Sequence, residues 1–259
     1  MASASYREAD QDVAFLHQPE SRGVRLQIDY LKTELSLQRH VNALSDESNA
    51  CPGNQALEER LAVAQRILAK SHYYEIAREF GRLVGSAGRR EEDCRVMVMT
   101  GSGPGIMEAA NRGAFDAGAK SIGLNITLPH DQYPNPYITP DLCFSFHYFA
   151  VRKLHFLQRA RALVVFPGGY GTLDELFEVL ALIQTRKISP VPVILVGAAY
   201  WKRAFDVDFL VEEGVIDHED RELFWYAETA REIWDGLLHW HETNGTPLFP
   251  PSRVASASD

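Results

Sequence analysis

The sequence predicts an α/β fold in which a parallel sheet carries helices on both faces, with extra helices ahead of it. Three observations carry this. Short apolar runs, such as Ala162–Phe166 and Pro192–Val196, show continuous rather than alternating hydrophobicity, the pattern of strands buried on both faces. Each run is followed by a segment with helical spacing of its apolar residues, which is the order of βα units. Two of the strand-to-helix junctions are glycine-rich turns, Gly101–Gly105 and Pro167–Gly171.

The elements follow in chain order. Residues 1–23 are polar and mixed and read as a flexible arm. From Val24 to about Asn42, Leu26, Ile28, Leu31, Leu35 and Leu37 recur at helical intervals, an amphipathic helix outside any sheet. Asn42–Gln55 is loop chemistry. A longer helical pattern then runs from Leu57 to Val84 and fades at Gly85–Arg90. Arg95–Thr100 is the next apolar strand, followed by a helix from Ile106 that ends at Gly118. Ser121–Ile126 is a second strand, Leu128–Pro140 a proline-rich loop, Leu142–His147 a third strand and Tyr148–Arg161 a helix. Ala162–Phe166 leads into a helix over Thr172–Thr185, and Pro192–Val196 into helical segments around Tyr200–Glu213 and Thr229–His241. Residues 24–246 form one domain with its motif core at 95–201, and 247–259 read as a disordered tail.

Composition bounds the function. With 26 Lys and Arg against 35 Asp and Glu the net charge is −9, which argues against nucleic-acid or anionic-membrane binding, since both depend on a positive surface field. An anionic ligand must therefore be held by local donors. Cys51, Cys94 and Cys143 are odd in number and widely spaced, neither a disulfide framework nor a metal clip, and fit a reducing cytoplasm. The N-terminal residues lack the apolar stretch of a secretory signal. The apolar runs fall far short of the roughly 20 residues that span a bilayer.

The two glycine turns carry the same chemistry. Glycines let a backbone approach a ligand closely, and the free N–H groups of the following helix can hold a phosphate. Both turns sit at carboxyl ends of parallel strands, where ligands bind, so they are expected to face one crevice and to hold a nucleotide or sugar phosphate. Tight turn geometry alone would also explain them, and Thr172 with Glu175 matches a T-x-x-E capping box. Arg152 and Lys153 weigh against the bland reading: they open a helix, where its dipole disfavours cations, and so read as ligand contacts, with a salt bridge as the alternative. His147 and His155 have no third partner for a metal. Tyr137, Phe144 and Phe146 read as core or base pocket, and Trp201 and Trp225 as packing.

GSGPGIMEAANRGA at 101–114, the Arg152–Lys153 pair and PGGYGTLDE at 167–175 together resemble the Lonely Guy (LOG) family, long labelled "lysine decarboxylase-like". The resemblance runs from about Arg95 to Trp201. It implies a Rossmann-like fold and a phosphoribohydrolase that cuts the N-glycosidic bond of a nucleoside 5′-monophosphate, AMP or N6-modified cytokinin AMP, to free base and ribose 5-phosphate. It implies Arg152 and Glu175 as the catalytic pair. Substrate contacts are then expected from Gly101, Gly103, Gly105, Ile106, Met107, Glu108, Lys153, Pro167, Gly168, Gly169, Gly171 and Thr172. No metal or cofactor is called for, and a homodimer is implied. The polar loop Asn125–Asn135 matches the longer members and favours AMP-like substrates.

The chemistry suits these residue types. Breaking a ribosyl C–N bond builds positive charge on the sugar, which a carboxylate beneath it stabilises while activating water.

Two features depart from the family pattern. Ser102 stands where the first turn usually has glycine, which narrows the backbone's options. The apolar strand that opens the family's sheet is missing: Asn42–Gln55 holds no run of four apolar residues. A first strand lies centrally in a doubly wound sheet, so its loss is expected to leave strand edges unpaired and to weaken phosphate affinity. A nucleotide-binding module without turnover is therefore the alternative. A pyridoxal-dependent lysine decarboxylase is a further one, with Lys153 as its only lysine near the motifs.

Overall fold

The computed structural model describes residues 14–15, 23–88, 96–127 and 133–249. Residues 1–13, 16–22 and 250–259, which hold most of the expected arm and tail, lie outside the described residues. The helical lead-in is α1 (Gly23–Ala50), α2 (Gln55–Ala69) and α3 (His72–Gly88). The interval read as a loop from Asn42 is helical as far as Ala50, and only Cys51–Asn54 turns the chain. Helix pairing is the reason, because Val41 and Leu44 are buried against Leu57 and Ala64. Asn54 caps α2 by accepting from the Leu57 N–H at 3.3 Å. The expected long helix breaks at Lys70–Ser71 into α2 and α3.

The βα units follow: β2 (Val98–Thr100), α4 (Ile106–Asp116), β3 (Ser121–Ile126), β4 (Cys143–Phe146), α5 (Phe149–Arg159), β5 (Leu163–Val165), α6 (Tyr170–Gln184) and β6 (Val193–Val196). Two short helices, α7 (Ala198–Ala204) and α8 (Val207–Glu212), precede β7 (Trp225–Ala227) and α9 (Ala230–Thr243). The strand β7 closes the apolar run Leu223–Ala227, a signal the sequence carries and that was not read. The strand β1 (Ala14–Phe15) belongs to the segment read as a polar arm, yet it pairs antiparallel with β4. At the other end Leu248 is buried and Phe249 packs against Trp234, so the chain stays attached beyond Pro247.

The strands form two sheets rather than one: β1-β4-β3-β2, and β5-β6-β7. Apart from β1 all pairings are parallel. Among the described residues β2 and β5 each end their sheet, paired on one side only, as unpaired edges were expected from a missing first strand.

A shared helical layer holds the halves together. On β6, Ile194 and Val196 face Ala77 of α3, Ala109 of α4 and Ile233 and Leu237 of α9. Val193 and Leu195 face the other way, onto Leu176, Val179 and Ile183 of α6. Over the first sheet, Val98 packs with Val84, Ala114 and Trp234, while Leu124, Ile126 and Phe146 meet Val151 and Phe156 of α5. Both faces are thus covered, and α3, α4 and α9 touch both sheets. The α3–α4 crossing is close enough that a Cβ at Gly113 would collide with the Arg78 carbonyl and lie 2.7 Å from the Arg82 nitrogen.

Candidate functional site

The two glycine turns converge on Arg152. A Cβ at Gly101 would lie 3.0 Å from Met107 Sδ and 3.5 Å from Arg152 Nη1, so the guanidinium rests beside the first turn. Its Nη2 donates to Glu175 Oε1 at 2.9 Å, in the helix that opens at the second turn. Arg152 is buried although it lies in the first turn of α5, where the dipole offers it nothing. Aromatic rings hold it there instead: its guanidinium carbon lies 5.1 Å from the Phe149 ring centroid and 5.7 Å from that of Phe156, positions −3 and +4 on the same helix face. The sequence carried this signal in F-x-x-R-x-x-x-F, and it was not read. Arg152 Nε is buried with no hydrogen-bond partner.

Glu175 does not cap its helix. The N-cap of α6 is Gly169, without a side-chain cap bond, so Thr172 lies inside the first turn and the expected capping box is not formed. Burial raises the Glu175 carboxyl above its ordinary value, against the lowering effects of Arg152 and Lys153. Lys153 itself lies 2.7 Å from Asp174 Oδ2 and 3.1 Å from Glu178 Oε2. It ties α5 to α6 as an ion pair, and although burial works against the charge, the two carboxylates raise its pKa.

In the first turn, Gly105 is the N-cap of α4 at φ 74°, a left-handed geometry that favours glycine. Ile106 packs toward the core, Met107 backs Gly101, and Glu108 Oε1 accepts from Tyr74 Oη at 3.1 Å. Arg112, also on α4, is buried and stacks over Tyr137 at 5.4 Å. Gly103 is buried, while Pro104 and Gly105 are exposed.

Ser102 takes φ 68°, the conformation the glycine it replaces adopts freely. Its side chain is wholly buried and turned onto β3, where a Cβ at Gly123 would stand 2.5 Å from Ser102 Oγ. In the second turn, Thr172 packs over Gly168 closely enough to exclude any Cβ there, and the Gly168 carbonyl accepts from Tyr200 Oη at 2.5 Å. Gly169 and Gly171 are exposed with open space around them, and Pro167 is half-buried.

Other singled-out residues lie elsewhere. His155 packs on Phe146, Tyr137 and Phe146 are buried, and Trp201 is fully buried with its indole donating to the Val196 carbonyl at 3.0 Å. Among the described residues no group of three or more His, Cys, Asp or Glu is placed to hold a metal ion, and no helix is long and apolar enough to cross a membrane.

Comparison with known proteins agrees with the motifs. A family described as "Possible lysine decarboxylase" matches residues 107–237. Cytokinin riboside 5′-monophosphate phosphoribohydrolase LOG3 of Arabidopsis thaliana is 30% identical over 198 residues, 73% of this chain and 87% of the relative. Probable cytokinin riboside 5′-monophosphate phosphoribohydrolase LOGL3 of Oryza sativa subsp. japonica is 29% identical over 152 residues, 54% of this chain and 67% of the relative. Among solved structures, the molybdenum cofactor carrier protein of Chlamydomonas reinhardtii aligns with a TM-score of 0.42 at 19% identity, covering 65% of this chain and 89% of that one. With its motifs in family order and the family match spanning half its length, this chain belongs to the LOG family, whose named members are phosphoribohydrolases.

Proposed function

We propose that the protein hydrolyses the N-glycosidic bond of a nucleoside 5′-monophosphate, AMP or an N6-modified AMP, releasing the base and ribose 5-phosphate. The observation that carries this is the Arg152–Glu175 pair between two glycine turns at helix N-termini. The turn N–H groups bind the 5′-phosphate, with Gly105, Gly169 and Gly171 leaving open space beside it. Glu175, ionised and held by Arg152, faces the sugar as positive charge builds on it and takes a proton from the attacking water. Arg152 keeps the carboxylate oriented. Lys153 keeps α5 and α6 in register. Its charge is stabilised rather than suppressed, which is unfavourable for the neutral amine a Schiff base requires.

The face carrying α5 and α6 exposes Tyr148, Leu154, Tyr170 and Phe177, which supports pairing of two copies beside the site. The free thiols of Cys51 and Cys143 suit a cytoplasmic setting.

The deciding experiment is Glu175→Gln with AMP, following adenine by chromatography. The amide retains shape without charge, so a folded protein that binds AMP and releases little base is expected. Wild-type turnover in that variant would remove Glu175 from the mechanism. Retention of AMP by the unaltered protein, with no adenine formed, would favour a binding module instead.

A further inference from the structure

A buried polar network lies behind the first glycine turn and ties it to Thr100, Asn111 and Asn135, outside both turns. Its centre is Asn135, buried on the loop between β3 and β4. The Asn135 backbone N–H donates to the Ser102 carbonyl at 2.8 Å. Its side-chain Nδ2 lies 3.2 Å from the same carbonyl, 3.3 Å from the Gly103 carbonyl and 3.0 Å from Asn111 Oδ1. Its Oδ1 accepts from the Tyr137 N–H at 3.3 Å. Thr100 completes the network, donating to Asn111 Oδ1 at 2.7 Å and accepting from the Ser102 N–H at 3.2 Å.

These contacts fix the orientation of a peptide plane. In a trans peptide the N–H points opposite to the C=O. The Ser102 carbonyl is drawn back to Asn135 by two donors, so the Gly103 N–H must point away from Asn135. The Ser102 N–H is taken by Thr100 Oγ1 and Pro104 has none, so between Gly101 and the N-cap Gly105 the remaining donor is the Gly103 N–H. Nothing in the turn's own sequence enforces this orientation, because glycine on the far side would accept the reverse one as readily.

We propose that Asn135 is a positioning residue for the phosphate site: by holding the Ser102 and Gly103 carbonyls inward it aims the Gly103 N–H at the 5′-phosphate, with Thr100 and Asn111 as its support. This rests on the reading of the first turn as the phosphate site. The loop that carries Asn135 is then part of the anion site without touching the ligand.

The test compares two ligands that differ only in the phosphate. AMP and adenosine binding would be measured by calorimetry for the unaltered protein, Asn135→Ala and Thr100→Val, the last being isosteric and strand-compatible so that it folds if Asn135→Ala does not. Loss of aligned donation to an anion predicts a fall of roughly tenfold in AMP affinity, with adenosine affinity changed by less than about twofold. A merely structural role would weaken both ligands alike. Equal losses, or no loss in either variant, would overturn the proposal. If the unaltered protein binds AMP no better than adenosine, the phosphate-site reading itself fails and this inference with it, an outcome distinct from a phosphate preference that survives both substitutions.

Discussion

Replacing Ser102 with glycine should stabilise the protein. Ser102 carries two costs in one residue. Its φ of 68° places an L side chain in the left-handed region, at about 1 kcal/mol or somewhat more. Its hydroxyl is fully buried with no hydrogen-bond partner, which costs about 1–3 kcal/mol. Against these stands the greater freedom of glycine in the unfolded chain, about 0.5–1 kcal/mol. The balance is a gain of about 1–3 kcal/mol, or roughly 3–9 °C in the unfolding midpoint at about 3 °C per kcal/mol for a domain of this size. Ser102→Ala separates the terms, since it removes the hydroxyl and keeps the backbone conformation. It should recover only the hydroxyl's share. Because the side chain faces Gly123 rather than the crevice, neither substitution should change AMP affinity. Thermal and urea unfolding of the three proteins would measure the effect; a midpoint for Ser102→Gly equal to or below the wild-type value would refute the reasoning.

Three other expectations follow from the same contacts. Burial raises the Glu175 pKa, and the ionised form is the working one, so kcat/KM should fall on the acid side at a pH above that of an ordinary carboxylate. Arg152→Ala should move that limb still higher by removing the opposing charge, and a pH–rate profile with the limb unmoved would count against the pair acting together. His241 is buried, its Nε2 near the Arg161 carbonyl at 2.9 Å and its Nδ1 near Thr246 Oγ1 at 3.0 Å, and burial lowers its pKa from 6.5. A depressed pKa means its stabilising contribution is complete above 6.5 and is lost as pH falls below it; His241→Gln should flatten that part of a stability–pH curve. Gly113→Ala forces a methyl into the Arg78 backbone at the α3–α4 crossing, and a loss of about 3 kcal/mol is expected by urea unfolding, with a neutral result showing that the helices can part.

How much of this was legible in the sequence varied with the range of the interaction. Ser121–Ile126 was read with its observed bounds, and β4, β5 and β6 to within one residue at either end, because continuous apolar runs between turn residues are local signals. Trp225–Ala227 ends the apolar run Leu223–Ala227, a local signal of the same kind that was not read, and pairing with β6 makes its last three residues a strand. The Asn42–Gln55 interval looked like a loop because its residues are polar one by one; helix pairing of Val41 and Leu44 with Leu57 and Ala64 carries α1 through most of it.

The same division holds at the site. The glycine turns, Arg152, Lys153 and Glu175 stood out by residue type and position. Phe149 and Phe156 were present at readable spacing, whereas Asn135 is an ordinary polar residue until the fold sets it behind the turn against Asn111 of α4.

By itself the sequence determined the family and the alternation of strand and helix, both properties of local pattern and order. Tertiary structure alone decided that the described strands form two sheets with β2 and β5 at their ends, that Lys153 pairs with Asp174 and Glu178, that Glu175 is held by Arg152 and not used as a cap, and that Ser102 turns inward. Each depends on which groups meet across distant parts of the chain, and hydrogen bonds and steric exclusion settle that only once the helices have packed.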